Sequence, residues 1–220
     1  EVIWGMTTKT VKVPDSATIV RKGDQVVDPP ELENPAGAIE EALDDPSGMD
    51  MIEDRVGRGD KVVIASPDRV KGGTHEQSHR KLSIPIILDR LESAGVKKED
   101  IKFIITNGLH CKNTRAQMKK FLPEVVFEEF APHHGIGNNL VNHDSEDPEG
   151  IVDLGYDEFG NRVEVNRDVY ESDLTIALGH CQGNPYAGMS GGTKSVATGL
   201  TTWRSISSHH VPETMWRDDM

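Results

Sequence analysis

Three short apolar runs, each followed by a stretch with helical periodicity, constrain the fold of this chain more than any other feature. The runs are KVVIAS (61–66), IKFIIT (101–106) and DLTIALG (173–179). They are short and rich in β-branched residues, as expected for strands that are covered on both faces. Strands that alternate with helices predict an α/β fold with an open, mostly parallel sheet and flanking helices.

The helical patterns lie mainly between these runs. The predicted helices span residues 34–45, 78–95, 113–122 and 194–210. The first has Asn34 as an N-cap and Pro35 at its first helical position, both typical of a helix start.

Two segments add β-structure outside this alternation. TKTVKV (8–13) has the period of two that is typical of a strand. Residues 150–166 predict a β-hairpin that turns at Phe159-Gly160-Asn161. We expect this added hairpin at the edge of the main sheet.

The negative net charge of the chain limits the kinds of molecule that it is expected to bind. Thirty-seven acidic and 24 basic residues give a net charge of −13, which repels phosphate backbones and anionic lipid. No apolar run approaches the roughly 20 residues that span a bilayer, and no secretion signal is visible. The two cysteines are too few for a disulfide framework. We therefore expect a cytoplasmic protein that binds small molecules or proteins, and neither nucleic acid nor membrane.

Chemically useful residues follow each predicted strand. Asp68 and Lys71 follow the first, His110 follows the second, and the glycine-rich loop GHCQGNPYAGMSGGTKS (179–195) follows the third. Ligands of open α/β sheets bind beyond the carboxyl ends of the strands. Each of these residues alone could be an ordinary polar residue at the protein surface. Together they predict a binding site at the carboxyl ends of the strands.

Residues 75–79 read His-Glu-Gln-Ser-His and match the H-E-x-x-H pattern of zinc proteases. That pattern needs both histidines in the middle of a long helix. Here Gly72-Gly73 comes directly before it, Thr74 is a candidate N-cap, and Pro85 follows closely. We therefore interpret the match as an accident at a helix start.

The glycine-rich loop contains a near match to a second motif. GMSGGTKS resembles the phosphate-binding P-loop, but Thr193 stands where the last glycine is required. A nucleotide triphosphatase is therefore not expected. Ser190, Gly191 and Gly192 before a helix could still offer backbone N–H groups to an anion, and Lys194 adds a positive charge and an amine. The alternative is a tight loop with an exposed lysine.

Four segments together resemble the amino-terminal half of the lactate racemase family. They are IASPDRVK (64–71), TNGLHCKNT (106–114), YAGMSGGTKSVATG (186–199) and the closing SHH (208–210). The resemblance covers nearly all of residues 1–220 and implies a domain that binds a nickel-pincer nucleotide, a nicotinate-derived cofactor whose ring holds nickel through carbon and two sulfurs. In the family, a hydride leaves C2 of a 2-hydroxy acid and returns to the other face.

The resemblance assigns roles residue by residue. It makes Lys194 the covalent anchor of the cofactor, His210 the protein ligand to nickel and His110 a general base. Asp68, Lys71 and the Ser190–Gly192 segment become cofactor-binding positions; Lys71 stands where the family usually has Arg. Lys194 and His210 would be roughly 24 Å apart on one straight helix, so we expect a break at Gly199 with a new cap at Thr201-Thr202.

Two departures from the family leave alternatives open. Asn184 stands where the family has its second catalytic histidine, and an amide cannot exchange a proton at working pH; His180 could substitute, or the substrate could differ. The family's carboxy-terminal domain is absent from this chain, so we expect either that a second chain or domain completes the site or that this chain is a fragment. Cofactor loading would need maturation proteins. The alternative function is a non-catalytic subunit or anion-binding module with the same fold.

Overall fold

The computed structural model describes residues 2–4, 7–19, 30–70, 78–132, 139–184 and 188–215. The chain divides into two compact units, Glu1–Glu33 and Asn34–Met220. In the first unit, β1 (Val2–Trp4) pairs antiparallel with β2 (Thr7–Lys9). The predicted strand over 8–13 is therefore only partly right: the strand starts one residue earlier and ends at Lys9, and among the described residues no strand pairs with residues 10–13.

The second unit contains most of the regular structure. Its helices are α1 (Pro35–Asp44), α2 (Ile52–Arg55), α3 (Arg80–Ser93), α4 (Arg115–Met118), α5 (Arg167–Tyr170), α6 (Thr193–Ala197), α7 (Trp203–His209) and α8 (Pro212–Met215). Its strands are β3 (Val62–Pro67), β4 (Ile101–Thr106), β5 (Leu140–Asn142), β6 (Ile151–Tyr156), β7 (Arg162–Asn166), β8 (Leu174–Ala177), β9 (Gly183–Asn184) and β10 (Gly188–Met189). A 3₁₀ turn (Lys98–Asp100) and a π-helical turn (Val126–Phe130) complete it.

The centre of this unit is a four-stranded, all-parallel sheet in the order β5-β4-β3-β8. Every residue of β3 is buried, as expected for a central strand with both faces covered. One face carries a large core that includes Phe103, Ile84 and Leu91. The other carries a smaller cluster that includes Ile104 and Leu200. The predicted α/β fold is confirmed, and within the described residues no helix is long and apolar enough to cross a membrane.

Helix α3 explains why the H-E-x-x-H match is misleading. The helix begins at Arg80, so His79 lies just before its first residue. His75 and Glu76 lie outside the described residues. Pro85 is the sixth residue of α3, so the helix lacks the hydrogen bond that an amide there would donate to the preceding turn. The apolar side chains of α3 pack on the sheet, so this helix serves the core.

The predicted hairpin is present as β6 and β7. Its turn is held by Asp157, whose Oδ1 accepts hydrogen bonds from the amides of Phe159 (2.9 Å) and Asn161 (2.8 Å). The hairpin forms a sheet of its own, and Val165 pairs with Thr201, just before α7. The expectation that it extends the edge of the main sheet is therefore wrong, because its free backbone groups are taken by the chain entering α7.

Buried Glu164 ties this hairpin to α7. Its carboxylate receives two hydrogen bonds from the Nε (2.9 Å) and Nη2 (2.9 Å) of Arg204, an ion pair from Arg162 (2.9 Å), and the hydroxyl of Thr202. Burial alone would raise the pKa of Glu164, but the hydrogen bonds from Arg204, Thr202 and Arg162 outweigh it, and the pKa is lowered. The carboxylate thus fixes where α7 starts.

The segment between α6 and α7 is broken where the sequence predicts it. Gly199 follows α6, and Thr202 caps α7 by accepting a hydrogen bond from the amide of Ser205. The amide of Gly108, in the loop after β4, donates to the carbonyl of Gly199 at 3.0 Å. A Cβ on Gly108 would lie 2.7 Å from the Thr198 carbonyl oxygen, and one on Gly199 would lie 2.6 Å from the Cβ of Thr106. The two loops can touch only because both positions lack a side chain.

Replacing Gly199 with Ala should lower the free energy of unfolding by about 1–3 kcal/mol, the usual cost of forcing an atom into a closed contact. Urea denaturation measures it. Gly57→Ala is the matched control, because a Cβ there meets nothing closer than 3.9 Å. Equal stability of the two variants would contradict the close contact of the loops.

Replacing Glu164 with Gln should lower the free energy of unfolding at neutral pH by roughly 1.5–3 kcal/mol, the value of hydrogen bonds to a charged group. Because the folded pKa is lowered, this contribution is present above the ordinary carboxyl pKa of 4.5 and is lost as the pH falls through the folded pKa. Denaturation series at several pH values should show the two proteins converging in acid.

The control for Glu164 is Asp153→Asn. Asp153 also pairs with Arg162, at 2.9 Å, but its side chain is half exposed, so its loss should change stability little. A gap between the Glu164→Gln variant and the unaltered chain that stays constant down to acid pH would show that the carboxylate charge is not what holds α7.

Candidate functional site

A cavity of about 330 Å³ opens at the carboxyl ends of the parallel strands. Its walls come from the loops after β3, β4 and β8, and from α6 and α7. This is where open α/β sheets bind their ligands. Among its lining residues are six of the sequence-predicted site residues: His110, Asn184, Ser190, Gly191, Lys194 and His210.

Glycines let the loops after β8 and before α6 meet at this cavity. A Cβ on Gly179 would lie 2.7 Å from the Cα of Gly191. Gly191 and Gly192 have φ values of +81° and +49°, in the left-handed region that favours glycine. The glycine-rich composition of this loop therefore reflects close backbone contact as well as any ligand.

Asp68 and His110 form a hydrogen-bonded pair beside the cavity. Asp68 Oδ2 lies 2.6 Å from His110 Nδ1. The carboxylate is 1% exposed whereas the imidazole is 47% exposed, so a buried group holds an imidazole that is open to solvent. The amide of Val70 donates to Asp68 Oδ1 at 3.0 Å. Asp68 is absent from the cavity lining, so the structure places this predicted cofactor contact behind the histidine instead.

Arg80 supports this pair and was not singled out from the sequence. It is fully buried, and it donates to the Pro67 carbonyl (2.6 Å) and to the Ser78 hydroxyl (2.9 Å). Its guanidinium lies over the ring of Phe121, 4.2 Å from the centroid. Burial lowers the pKa of Arg80 to about 10, while the charge of Asp68 acts in the opposite direction. Arg80 therefore stays charged at neutral pH and balances Asp68.

Ser190 has a structural task that the sequence did not reveal. Its amide donates to the Gln182 carbonyl at 2.7 Å, and its hydroxyl donates to the His180 carbonyl at 2.6 Å. The expectation that Ser190 offers a free N–H to an anion is therefore wrong. The serine closes its own loop, and any backbone contribution to a ligand falls to Gly191 and Gly192.

Lys194 and His210 reach the cavity from two successive helices. Lys194 lies in the first turn of α6 and His210 follows the last residue of α7. The break at Gly199 folds the two helices so that both side chains line one cavity. Burial, followed by the charges of His209 and Lys194, lowers the pKa of His210. A neutral imidazole is the form that binds metals.

Two further imidazoles lie close to these residues. His209 Nδ1 is 3.0 Å from His210 Nδ1. His180 lines the cavity together with Asn184, and its Nε2 is 3.1 Å from Gln182 Oε1. Besides His110 and His210, the structure therefore brings a third histidine, His180, to the cavity that Asn184 lines.

The remaining predicted residues are placed differently. Lys71 lies outside the described residues. Gly192 adjoins the cavity at the start of α6 without lining it. Within the described ranges, no group of three or more His, Cys, Asp or Glu side chains could hold a metal ion.

Two lactate racemases are similar in sequence to this chain. The lactate racemase of Lactiplantibacillus plantarum is 29% identical over 176 residues, which cover 80% of this chain and 38% of that protein. The lactate racemase of Thermoanaerobacterium thermosaccharolyticum is 27% identical, with the same coverage. This chain thus spans 38% of the length of either relative.

Solved structures agree with the fold. The lactate racemase apoprotein from Thermoanaerobacterium thermosaccharolyticum superposes with a TM-score of 0.62 at 27% identity, over 76% of this chain and 37% of that one. A Thermotoga maritima protein superposes with a TM-score of 0.53 over 81% of this chain and 40% of that one. At 16% identity, the second likeness shows the fold alone.

The family model described as the lactate racemase N-terminal domain matches residues 4–219. The match confirms the resemblance that the sequence motifs indicate. Because it extends over nearly the whole chain, we conclude that this chain belongs to the lactate racemase N-terminal domain family.

Proposed function

We propose that this chain is the cofactor-binding part of a 2-hydroxy-acid racemase or epimerase that works by hydride transfer to a covalently bound nickel-pincer nucleotide. The observation that carries the proposal is the meeting of Lys194 and His210 in one cavity with His110. An amine, an imidazole ligand and a base are the groups that the family chemistry requires. The likeness to two lactate racemases supports the reaction class.

The residues of the cavity fit such a cofactor. The described residues offer no cluster that could hold a metal ion by themselves, so a metal beside His210 would need ligands that a cofactor brings. Lys194 would anchor the cofactor covalently and the neutral His210 would bind its nickel. When bound, the cofactor supplies a hydride acceptor for C2 of the substrate.

The pair of His110 and Asp68 fits a general base. An ionised Asp68 can only accept hydrogen bonds, so its contact of 2.6 Å with His110 Nδ1 supports the tautomer that carries the proton on Nδ1. His110 Nε2 is then bare and can take the proton of the substrate hydroxyl. The buried positive charge of Arg80 interacts electrostatically with the carboxylate of Asp68.

Asn184 favours a substrate other than plain lactate. Its amide lines the cavity and can donate and accept hydrogen bonds but cannot act as a base. We therefore propose a larger or more polar 2-hydroxy acid, whose extra group Asn184 would bind. His180 is the imidazole in this cavity that could serve the opposite face of the substrate.

The rest of the enzyme would come from elsewhere. Since the chain covers 38% of the length of its relatives, a further domain or a partner chain would complete the substrate site, and maturation proteins would supply the cofactor. Cys111 and Cys181 are exposed and unpaired, which supports a reducing cytoplasm. The anion-binding alternative is weakened because the amide of Ser190 already donates a hydrogen bond to the carbonyl of Gln182 in the same loop.

The covalent link to Lys194 gives the first test. Protein produced in cells that make the cofactor should show a mass adduct on Lys194 and nickel in equal amount to protein. Lys194→Arg, which keeps the charge but cannot form the link, should lose both. Intact-mass and elemental analysis measure them, with Lys112→Arg as the control outside this cavity. An adduct and nickel that persist in Lys194→Arg would overturn the proposal.

The base gives the second test, using the chain assembled with its missing domain or partner. His110→Ala should lower turnover about 100- to 10,000-fold, the usual contribution of a positioned base. Asp68→Asn should cause a smaller loss, because the imidazole remains but its proton is no longer held on Nδ1. Conversion of a panel of single-enantiomer 2-hydroxy acids labelled with deuterium at C2 measures both losses.

Rapid conversion of both lactate enantiomers by the unaltered protein would contradict the role given to Asn184.

A further inference from the structure

One histidine lies buried between the loop that carries His110 and the segment that leads into α7. His143 directly follows β5 and is 1% exposed. Its backbone amide donates to the carbonyl of Ile105 in β4 at 3.0 Å, and its carbonyl accepts a hydrogen bond from Nδ2 of Asn107 at 3.1 Å. The backbone of His143 is therefore tied to the end of β4, where the loop of His110 begins.

The imidazole of His143 bonds to two other elements. Its Nε2 lies 2.9 Å from the carbonyl oxygen of Thr201, between α6 and α7. Its Nδ1 lies 3.2 Å from Nδ2 of Asn166, the last residue of β7. The backbone amide of Asn166 donates in turn to the carbonyl of Leu200 at 2.8 Å. One buried side chain thus links the loop of His110 to the segment from which α7 starts.

These partners determine the protonation state of the ring. The carbonyl of Thr201 can only accept a hydrogen bond, so Nε2 of His143 carries a proton. The side-chain oxygen of Asn166 already accepts from the amide of Val169 at 3.3 Å, which leaves its NH₂ group to face the ring. Nδ1 of His143 therefore has to accept. The imidazole fits this place only when it is neutral, because a second proton on Nδ1 would face a donor.

We propose that His143 is a positioning residue whose neutral imidazole holds the loop of His110 against the segment that leads to His210. It acts beside the backbone hydrogen bond from Gly108 to Gly199, which joins the same two segments. His143 lies outside the lining of the cavity that holds His110 and His210, so it acts through these segments and not on a substrate. Where it concerns catalysis, the inference rests on the proposed function; the link between the segments does not.

The link should weaken in acid. Burial lowers the pKa of His143 below its ordinary value of 6.5, and the charge of Lys112 acts in the same direction, whereas the Thr201 carbonyl and the charge of Asp144 oppose them. The groups that contact the ring from β7 and from the segment before α7, Asn166 and Thr201, are neutral. Because the folded pKa is lowered, the contribution of the neutral ring is complete above pH 6.5 and is lost as the pH falls from there through the folded pKa.

Two variants separate the link from the packing of the ring. His143→Leu keeps an apolar side chain of similar volume but leaves the Thr201 carbonyl without its donor. His143→Gln keeps an N–H that can reach that carbonyl. Hydrogen exchange of the Gly108 amide reports on the contact between the two segments, since this amide donates to Gly199. In the cofactor-free chain, exchange at Gly108 should be about 5- to 100-fold faster in His143→Leu, the usual effect of an unpaired buried group, and close to the original rate in His143→Gln.

The control is Leu91→Ala, in the core on the other face of the sheet. It should accelerate the exchange of β3 amides, which opens with global unfolding, and leave Gly108 unchanged. The pH dependence gives a second measurement. Relative to the intrinsic exchange rate, the protection of Gly108 should fall below pH 6.5 in the unaltered chain and stay constant in His143→Gln.

The catalytic consequence is measured in the matured protein, assembled with its missing domain or partner. Turnover should fall about 10- to 100-fold in His143→Leu, the usual result of displacing a reacting group by about 1 Å, and His143→Gln should restore most of it.

Unchanged exchange of Gly108 in folded His143→Leu would overturn the inference, as would the same pH dependence in His143→Gln and the unaltered chain. If His143→Leu does not fold, the comparison of pH dependences still decides. Unchanged turnover in His143→Leu would contradict the positioning role. Absence of nickel from the matured, unaltered protein would contradict the proposed function, whereas the exchange results test the link independently of it.

Discussion

The site depends on one backbone contact, the hydrogen bond from the amide of Gly108 to the carbonyl of Gly199. It joins the loop that carries His110 to the break between α6 and α7, and so it helps to set how far the imidazole of His110 lies from Lys194 and His210. Neither glycine can accept a side chain without a collision. Since interiors are close-packed and transmit small displacements, a shift here would move all three functional groups together.

Two of the proposed functional side chains, His110 and His210, are held in place by buried groups. His110 rests on Asp68, which is balanced by the buried cation Arg80. The helix that carries His210 is fixed at its start by Glu164. Supports of this kind pre-organise a site before any ligand arrives. The buried charges are therefore better explained as devices for orientation than as sources of stability.

Much of this could be predicted from the sequence. The apolar runs predicted the strands β3, β4 and β8. A glycine followed by a capping threonine predicted the break near Gly199. The support by Arg80 could not be predicted, because a buried cation over Phe121 depends on contacts between distant segments. The hydrophobic periodicity of a segment also does not show which strand it pairs with, so the position of the hairpin was predicted wrongly.

We propose above that Lys194 and His210 both bind one nickel-containing cofactor, Lys194 through a covalent link and His210 as a ligand of the nickel. X-ray absorption at the nickel edge of the matured protein tests it most directly. The account predicts one imidazole ligand together with sulfur ligands, and loss of the imidazole signal in His210→Ala. A nickel surrounded only by nitrogen and oxygen, or a spectrum unchanged in His210→Ala, would contradict it.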